Sequence, residues 1–328
     1  MEYGYLDFSD IKTDTAKNRR NLVRIDTMLN PGTDAVPEWD GGKDFDSLIE
    51  KIVEARRNGK PVIWSQGAHV IKNNLSRYLI ELMKHGIITH IAGNGACSIH
   101  DFELAYLGGT SEDVPTALED GTFGMWEETG GWMNAAIQYG AEHDMGYGES
   151  LACFIDTHKE LFPYREDCVL YQAYLCGVPA TFHIALGTDI IHQHPSVDFS
   201  AIGKTSGIDF HRYCYSVAHM DGGVFLNFGS SVIGPEVFLK AISISRNLGF
   251  DTRHITTANF DLVDLGDYRV KIGYDDPHYY YRPRKNIVNR PPQNGGIGWH
   301  FIGDHKQTIP NLYRKLEPFF GEFEAKKL

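Results

Sequence analysis

The sequence predicts an α/β fold, a parallel sheet flanked by helices, built as a single domain over residues 1–328. Three observations lead there. Apolar runs of strand character alternate with runs of helical period, and such alternation returns strands side by side through right-handed crossovers. The helical runs stop at Gly59, Gly86 and Gly249, and glycine favours the position just past a helix end. Each strand is followed by glycine or short polar residues. In a parallel sheet these loops gather at the carboxyl edge, where open α/β sheets bind ligands.

Taken in order, residues 1–45 read as an N-terminal extension packed on the core. Leu48, Ile49, Ile52 and Val53 mark one face of a helix over 47–58, by their three- and four-residue spacing. Residues 61–64 read as a buried strand. Leu75, Tyr78, Leu79, Leu82 and Met83 mark the next helix, and 87–92 a second strand. The middle, 99–178, reads as mostly helical, with Thr110 and Asp113 resembling a capping box. Alternation resumes with a strand at 180–186, a helix at 210–220, a strand at 224–227, a helix at 237–247 and a strand at 254–257.

Composition narrows the function. At 42% hydrophobic and 23% charged the chain is ordinary globular protein, able to bury a core. No apolar run approaches the roughly 18 residues that span a bilayer, and residues 1–7 have neither the basic nor the apolar stretch of a signal peptide. A membrane partner is not expected. The five cysteines are odd in number and lack C-x-x-C spacing, which argues against structural zinc and a disulfide framework. A reducing, cytoplasmic setting is expected. The net charge of −12 repels phosphate backbones, so no nucleic-acid partner is expected. It suits a cationic ligand, and equally it serves solubility.

The strand-end loops are Gly67, Gly93-Asn94-Gly95-Ala96, Gly187-Thr188-Asp189, Gly229-Ser230-Ser231 and Ala258-Asn259. Glycine lets backbone N–H groups approach a phosphate. Several such loops suit an extended ligand such as a dinucleotide, though any one equally makes a tight turn. Ser98 stands where G-x-G-x-x-G needs its third glycine. His100-Asp101-Phe102-Glu103 can hold a cationic substrate or move protons, or its carboxylates can complement a helix dipole. Asp189 with His192 and His194 has the ligand types of a metal site; the alternative, preferred here, is a polar loop without metal. Residues 256–261 suit a ribose or amide, or local turn bonding. Cys97 beside His100 can be read as a nucleophile or as a small buried side chain. Residues 279–285, aromatic and basic, suit base stacking or a subunit interface.

Together these segments resemble the deoxyhypusine synthase family, over about 60–310 and in order. The resemblance rests on Gly67 to Lys72, Gly93 to Ala96 with His100-Asp101, Val178-Pro179 leading to Gly187-Thr188-Asp189, Gly222-Gly223-Val224, Thr257-Ala258 with Asp261, and Gly303-Asp304-His305 before Ile309-Pro310. Residues 99–114 are closer to a bacterial deoxyhypusine synthase-like branch. The resemblance implies a Rossmann-like NAD-binding fold and a homotetramer of paired dimers with shared sites. It implies that NAD oxidises spermidine or a similar polyamine. An aminobutyl fragment then passes, as an imine on a lysine, to an acceptor amine, either a protein lysine or a small amine such as putrescine. It places Asn94, Gly95, Ala96, Asp189, Gly223, Thr257, Ala258, Asp304 and His305 at cofactor positions, with His69 and Lys72 in the first cofactor loop. It places His100, Asp101, Asn227 and Asp261 at the substrate.

One departure matters. The family's nucleophilic lysine lies in a Trp-Gly-Lys motif, and residues 294–301 here hold no lysine. Lys285 is the candidate that remains by order along the chain. The missing motif leaves two alternatives open: an NAD-dependent oxidoreductase on an amine or alcohol without a lysine relay, or a non-catalytic NAD-binding protein.

Overall fold

The computed structural model describes residues 3–323. Its elements are β1 (Asn21–Arg24), α1 (Gly42–Arg57), β2 (Val62–Gln66), α2 (His69–Lys72), α3 (Ser76–Lys84), β3 (His90–Asn94), α4 (Gly95–Leu107), β4 (Gly109–Glu112), α5 (Val114–Asp120), α6 (Met133–Glu142), α7 (Tyr147–Thr157), α8 (Val169–Leu175), β5 (Ala180–His183), α9 (Phe199–Ala218), β6 (Val224–Phe228), α10 (Ile233–Asn247), β7 (Thr256–Asp261), β8 (Ile297–Ile302) and α11 (His305–Leu316). Six strands form one sheet in the order β5-β3-β2-β6-β7-β8, and every pairing is parallel. This is the doubly wound, Rossmann-like order: the chain builds outward from β2 to one side, then crosses back and builds to the other.

Alternation along each strand divides the sheet into two faces. One face carries Trp64, Leu226, Phe228, Ala258, Phe260, Trp299 and Phe301 and packs with residues of α1, α3 and α11. Ring pairs run across it from Trp64 to Phe228 (3.9 Å between centroids), Phe228 to Phe260 (4.4 Å) and Phe260 to Phe301 (4.9 Å). The other face carries Ile63, Ala92 and Phe225, which pack with Tyr213 and Val217 of α9 and Phe238 and Ile242 of α10. The helical middle, α4 to α8, has its own cluster around Phe102, Ile137, Leu151 and Phe162.

Several sequence expectations shift. The first helix starts at Gly42, not 47, because Phe45 is already packed edge-on against Trp39. β3 starts at His90 rather than 87. Ile87 and Ile88 are buried before the strand begins, while the Thr89 hydroxyl takes the N–H of Val62. The helix expected at 210 starts at Phe199, where the Asp198 carboxylate accepts the N–H groups of Ser200 and Ala201. The capping box at Thr110 and Asp113 is absent. Thr110 lies in β4 and donates its hydroxyl to Glu103, and Asp113 makes no side-chain cap.

The extension is pinned at two places. β1 pairs antiparallel with β4. Arg19, ahead of it, places its guanidinium 2.6 Å from Glu103 of α4, with both side chains almost wholly buried. Glu103 also accepts from Thr110 and Thr129, so its charge is met on three sides. Removing one member of a buried pair strands the other. Arg19→Ala is expected to cost about 3–5 kcal/mol of stability, read as a lowered urea midpoint.

A second buried carboxylate sets a pH dependence. Asp209 of α9 accepts the N–H groups of Gly148 and Phe182 on one oxygen, and its other oxygen has no partner among the described residues. Burial pushes its pKa up to about 7, against those two hydrogen bonds and nearby Arg212. Between the usual carboxylate pKa and 7 the folded chain holds a proton that the unfolded chain has lost, so this group's contribution falls as pH rises through that window. Asp209→Asn is expected to flatten the loss of stability between pH 4.5 and 7, measured by urea unfolding at both values. An unchanged slope would show that Asp209 is ionised in the fold.

Candidate functional site

The switch in strand order falls between β2 and β6, and two glycines meet there. The Gly67 N–H donates to the Phe228 carbonyl at 2.9 Å. A Cβ on Gly67 would stand 2.8 Å from the Gly229 carbonyl oxygen, so only glycine lets the two loops close. Gly229 has φ +68°, and a Cβ there would stand 2.6 Å from His305 Nε2. His305, the first residue of α11, therefore lies directly over the crevice.

Next to it is the β3–α4 turn. Asn94 caps α4, its Oδ1 accepting the Cys97 N–H at 3.2 Å. Where a Cβ of Gly95 would be, Asp189 Oδ2 stands 1.9 Å away. The loop after β5 thus lays a carboxylate across the start of α4. That Oδ2 is buried without a hydrogen-bond partner among the described residues, and burial raises the Asp189 pKa to about 6. Ala96 follows in the first turn, half-buried.

A basic group flanks the crevice. His69 and Lys72 come from α2, directly after Gly67. His100 of α4 donates from Nδ1 to the Thr110 hydroxyl oxygen at 2.6 Å, since that hydroxyl itself donates to Glu103. Burial lowers its pKa to about 4; Glu103 opposes this, and Lys72, Arg19 and His69 add to it. Burial also lowers the pKa of His305, with Asp261 and Asp304 opposing and His69 assisting. His69 is therefore close enough to act on both rings. In a chain of net charge −12, this is a local concentration of cationic and imidazole groups at a glycine-lined edge.

Across β6, β7 and β8 runs a buried polar row in strand register. Asn227 Nδ2 donates to Asn259 Oδ1 (2.7 Å), and Asn259 Nδ2 donates to His300 Nδ1 (2.9 Å). His300 Nε2 donates to the Val263 carbonyl (2.7 Å). Tyr281 donates to Asp261 Oδ2 at 2.6 Å. Asn227 Oδ1, buried, has no hydrogen-bond partner among the described residues. Beside this edge a cavity of about 400 Å³ opens between α9 and α10, lined by His183, Ile202, Phe210, Ile233 and Val237 among others. A cavity of about 720 Å³ lies at the opposite, amino edge, around Lys60, Thr89, His219 and Asp221, away from every strand-end loop.

The structure thus brings His69, Lys72, Asn94, Gly95, Ala96, His100, Asp189, Asn227, Asp261 and His305 to the carboxyl edge. Others are placed elsewhere or are already employed. Gly223 precedes β6, so it lies at the amino edge, five strand residues or roughly 17 Å from the crevice. Thr257 is buried with its hydroxyl on the Ile287 carbonyl. Ala258 belongs to the aromatic face. Asp101 is fully buried, and its two oxygens accept the Val169 and Leu170 N–H groups at the start of α8, so it braces a helix and meets no substrate. Asp304 is an exposed N-cap whose Oδ1 accepts the Lys306 N–H. Lys285 lies on the π-turn Arg284–Asn289, its Nζ 3.9 Å from the Tyr279 ring centroid and 5.2 Å from that of Tyr280. Cation–π contact holds it there.

The nucleophile and metal alternatives also meet geometry. Cys97 is buried, and burial raises its pKa to about 12, leaving the thiol protonated. His192 and His194 sit in and after a 3₁₀ turn, not an extended segment. They diverge, one toward Asp189 and the other toward Glu127. Among the described residues one group offers three ligand atoms within 4.8 Å, Asp221, Asp251 and His254 at the amino edge, the last two exposed. Sequence reasoning assigned His300 no role; its signal was a polar residue close before a strand end, the position that Asn227 and Asn259 also hold. Tyr281, read only as part of the aromatic stretch, meets Asp261 instead.

No family model matches the chain, and no curated protein matches it. Solved structures resemble it in shape. ArgZ, an arginine dihydrolase of the cyanobacterial ornithine–ammonia cycle, is 15% identical over 84% of this chain and 31% of its own, with a TM-score of 0.47. AgrE, solved with ornithine and NAD+, is 12% identical over 86% of this chain and 34% of its own, TM-score 0.48. A protein of Entamoeba histolytica assigned as a deoxyhypusine synthase is 9% identical over 87% of this chain and 92% of its own, TM-score 0.45. The chain spans about a third of the length of ArgZ and AgrE. No helix among the described residues is long and apolar enough to cross a membrane.

The tightest contact of the crevice yields a test. Gly67→Ala sets a methyl against a backbone carbonyl that cannot swing aside. It is expected to cost about 1–3 kcal/mol, seen as a lowered thermal midpoint. Gly203→Ala, where a Cβ meets open space, is expected to leave that midpoint within about 2 °C of the parent.

Proposed function

We propose that this chain is an NAD-dependent enzyme that oxidises a small amine. The observation that carries the reading is the closed Gly67–Gly229 contact at the strand-order switch, flanked by Lys72 and three imidazoles. Ligands of open α/β sheets bind at such a switch, outside the carboxyl ends of the strands. NAD supplies the hydride acceptor. Lys72, a compact ammonium in the first loop, neutralises a phosphate. Asp189 accepts hydrogen bonds on its free oxygen. His305, held neutral over Gly229, can take a proton from an amine as it is oxidised. Asp261 and the −12 net charge favour a cationic substrate.

The finer reading takes the amine to be spermidine or a similar polyamine and the product to be an aminobutyl group passed to an acceptor amine, in a homotetramer. It rests on the family resemblance. Lys285, held against Tyr279 and Tyr280, favours a second reading, oxidation without a lysine relay. Calorimetry separates binding from chemistry. Lys72→Ala is expected to weaken NAD about tenfold, and Lys285→Ala to leave it unchanged. Borohydride trapping with NAD and spermidine is expected to leave Lys285 unmodified in peptide mass maps. A Lys285 adduct would establish the relay, and wild-type protein that takes up no NAD would end the cofactor reading.

A further inference from the structure

The loop that follows β5 holds a pair of groups whose unmet hydrogen bonds define what belongs between them. His192 lies in the 3₁₀ turn after Asp189. Its Nδ1 accepts two backbone N–H groups, from Gly187 and from Asp189, each at 3.1 Å. A nitrogen that accepts twice carries no proton, so the ring hydrogen is on Nε2. That Nε2 stands 3.8 Å from Asp189 Oδ2, too far for a hydrogen bond. Both atoms are buried and have no partner among the described residues, and both side chains are more than nine-tenths buried. One atom donates and the other accepts, and the carboxylate lies over the bare Cα of Gly95 at the start of α4.

The chemistry of the occupant follows. A phosphate cannot sit there, because Asp189 already places negative charge at that helix end. An ammonium could donate to Asp189, but it offers no lone pair to the His192 N–H. A hydroxyl does both, donating to Asp189 Oδ2 while accepting from His192 Nε2. We propose that His192 and Asp189 together read one ribose hydroxyl of the dinucleotide, with His192 as the residue that distinguishes a hydroxyl from an ammonium or a missing oxygen. This rests on the NAD reading above and extends it to a residue that the family resemblance leaves without a role. It also assigns the carboxylate to the cofactor's sugar rather than to the cationic substrate, which leaves Asp261 as the acid facing the amine.

Two isosteres separate the loop-holding nitrogen from the reading nitrogen. In His192→Asn the amide oxygen falls near Nδ1 and keeps the two backbone contacts, while nothing reaches the place of Nε2. In His192→Gln the amide nitrogen falls near Nε2 and keeps the donor. The probes are NAD and its single-deoxy analogues, one set lacking a hydroxyl on the adenosine ribose and the other on the nicotinamide ribose, titrated by calorimetry. Wild type is expected to bind one of these analogues about 10- to 100-fold more weakly than NAD, since removing one partner strands two buried groups. The set that shows the loss says which ribose is read. His192→Asn is expected to lose much of that discrimination, keeping only what the Asp189 contact supplies, with an unchanged thermal midpoint, and His192→Gln to recover most of it. Wild-type discrimination retained in His192→Asn would overturn the proposal while leaving NAD binding intact, as would equal binding of every analogue by wild type. Absence of NAD binding by wild type would overturn the functional reading and this inference with it.

Discussion

The register of β6, β7 and β8 is the constraint on which the rest depends. Phe228, Phe260 and Phe301 are aligned by pairing, and their rings stack across one face of the sheet. One residue earlier on each strand, Asn227, Asn259 and His300 are aligned on the other face and joined by hydrogen bonds. Because side chains alternate, a slip of one residue in any strand would drive an asparagine or histidine into the aromatic layer and a phenylalanine into the polar row. Each face therefore penalises the wrong register of the other. The aromatic layer supplies most of the burial, and the polar row supplies direction, since a chain of amides and an imidazole satisfies its donors in only one arrangement.

Fixed register also fixes where the strands end. Phe228 is followed by Gly229, whose N–H donates to the Phe260 carbonyl, and β8 is followed by the turn that starts α11 at His305. The His305 ring lies edge-on to Phe228 and reaches Gly229. The aromatic layer thus holds from below the histidine that stands over the crevice. On the far side, the crevice is set by Asp189 laid over Gly95. The two halves of the sheet bring different chemistry to it: imidazole and amine from the loops beside β2 and β8, carboxylate from the loop after β5.

Much of this was legible in the sequence, for a reason that also explains what was not. Strand-end loops announce themselves through glycine, so Gly67, Gly95 and Gly229 marked the edge before any contact was known. The link between Asn227, Asn259 and His300 did not, because they lie 32 and 41 residues apart and only the register joins them. Strand starts were read too early at 87 and 254 because Ile87, Ile88 and Ile255 are buried before pairing begins. The polar carboxyl ends, Gly93-Asn94 and Asp261, pair without any apolar signal. Family position and geometry part in a different way. Gly223, Thr257 and Asp101 have the right neighbours in sequence, but each helps to hold the fold, by a turn, a carbonyl or a helix end, whereas Asp304, an exposed N-cap beside His305, uses only Oδ1. A polar residue whose hydrogen bonds are all met locally has little left to offer a ligand.

Leaving a buried donor or acceptor unpaired costs roughly 1–3 kcal/mol, and a ligand can offset that cost. Asp189 Oδ2, His192 Nε2, Asn227 Oδ1 and His305 Nδ1 are buried without a partner among the described residues, and all four belong to strand ends or loops on the carboxyl side of one sheet. On this edge the cost falls on groups of mixed kind: a carboxylate, two imidazoles and an amide, while others such as Arg19 Nη2 and Asp209 Oδ1 lie elsewhere in the fold. A metal would want the ligands turned toward one point, and an anion would be repelled by Asp189. A molecule that carries both donors and acceptors along its length, with a charge for Lys72, answers all of them at once.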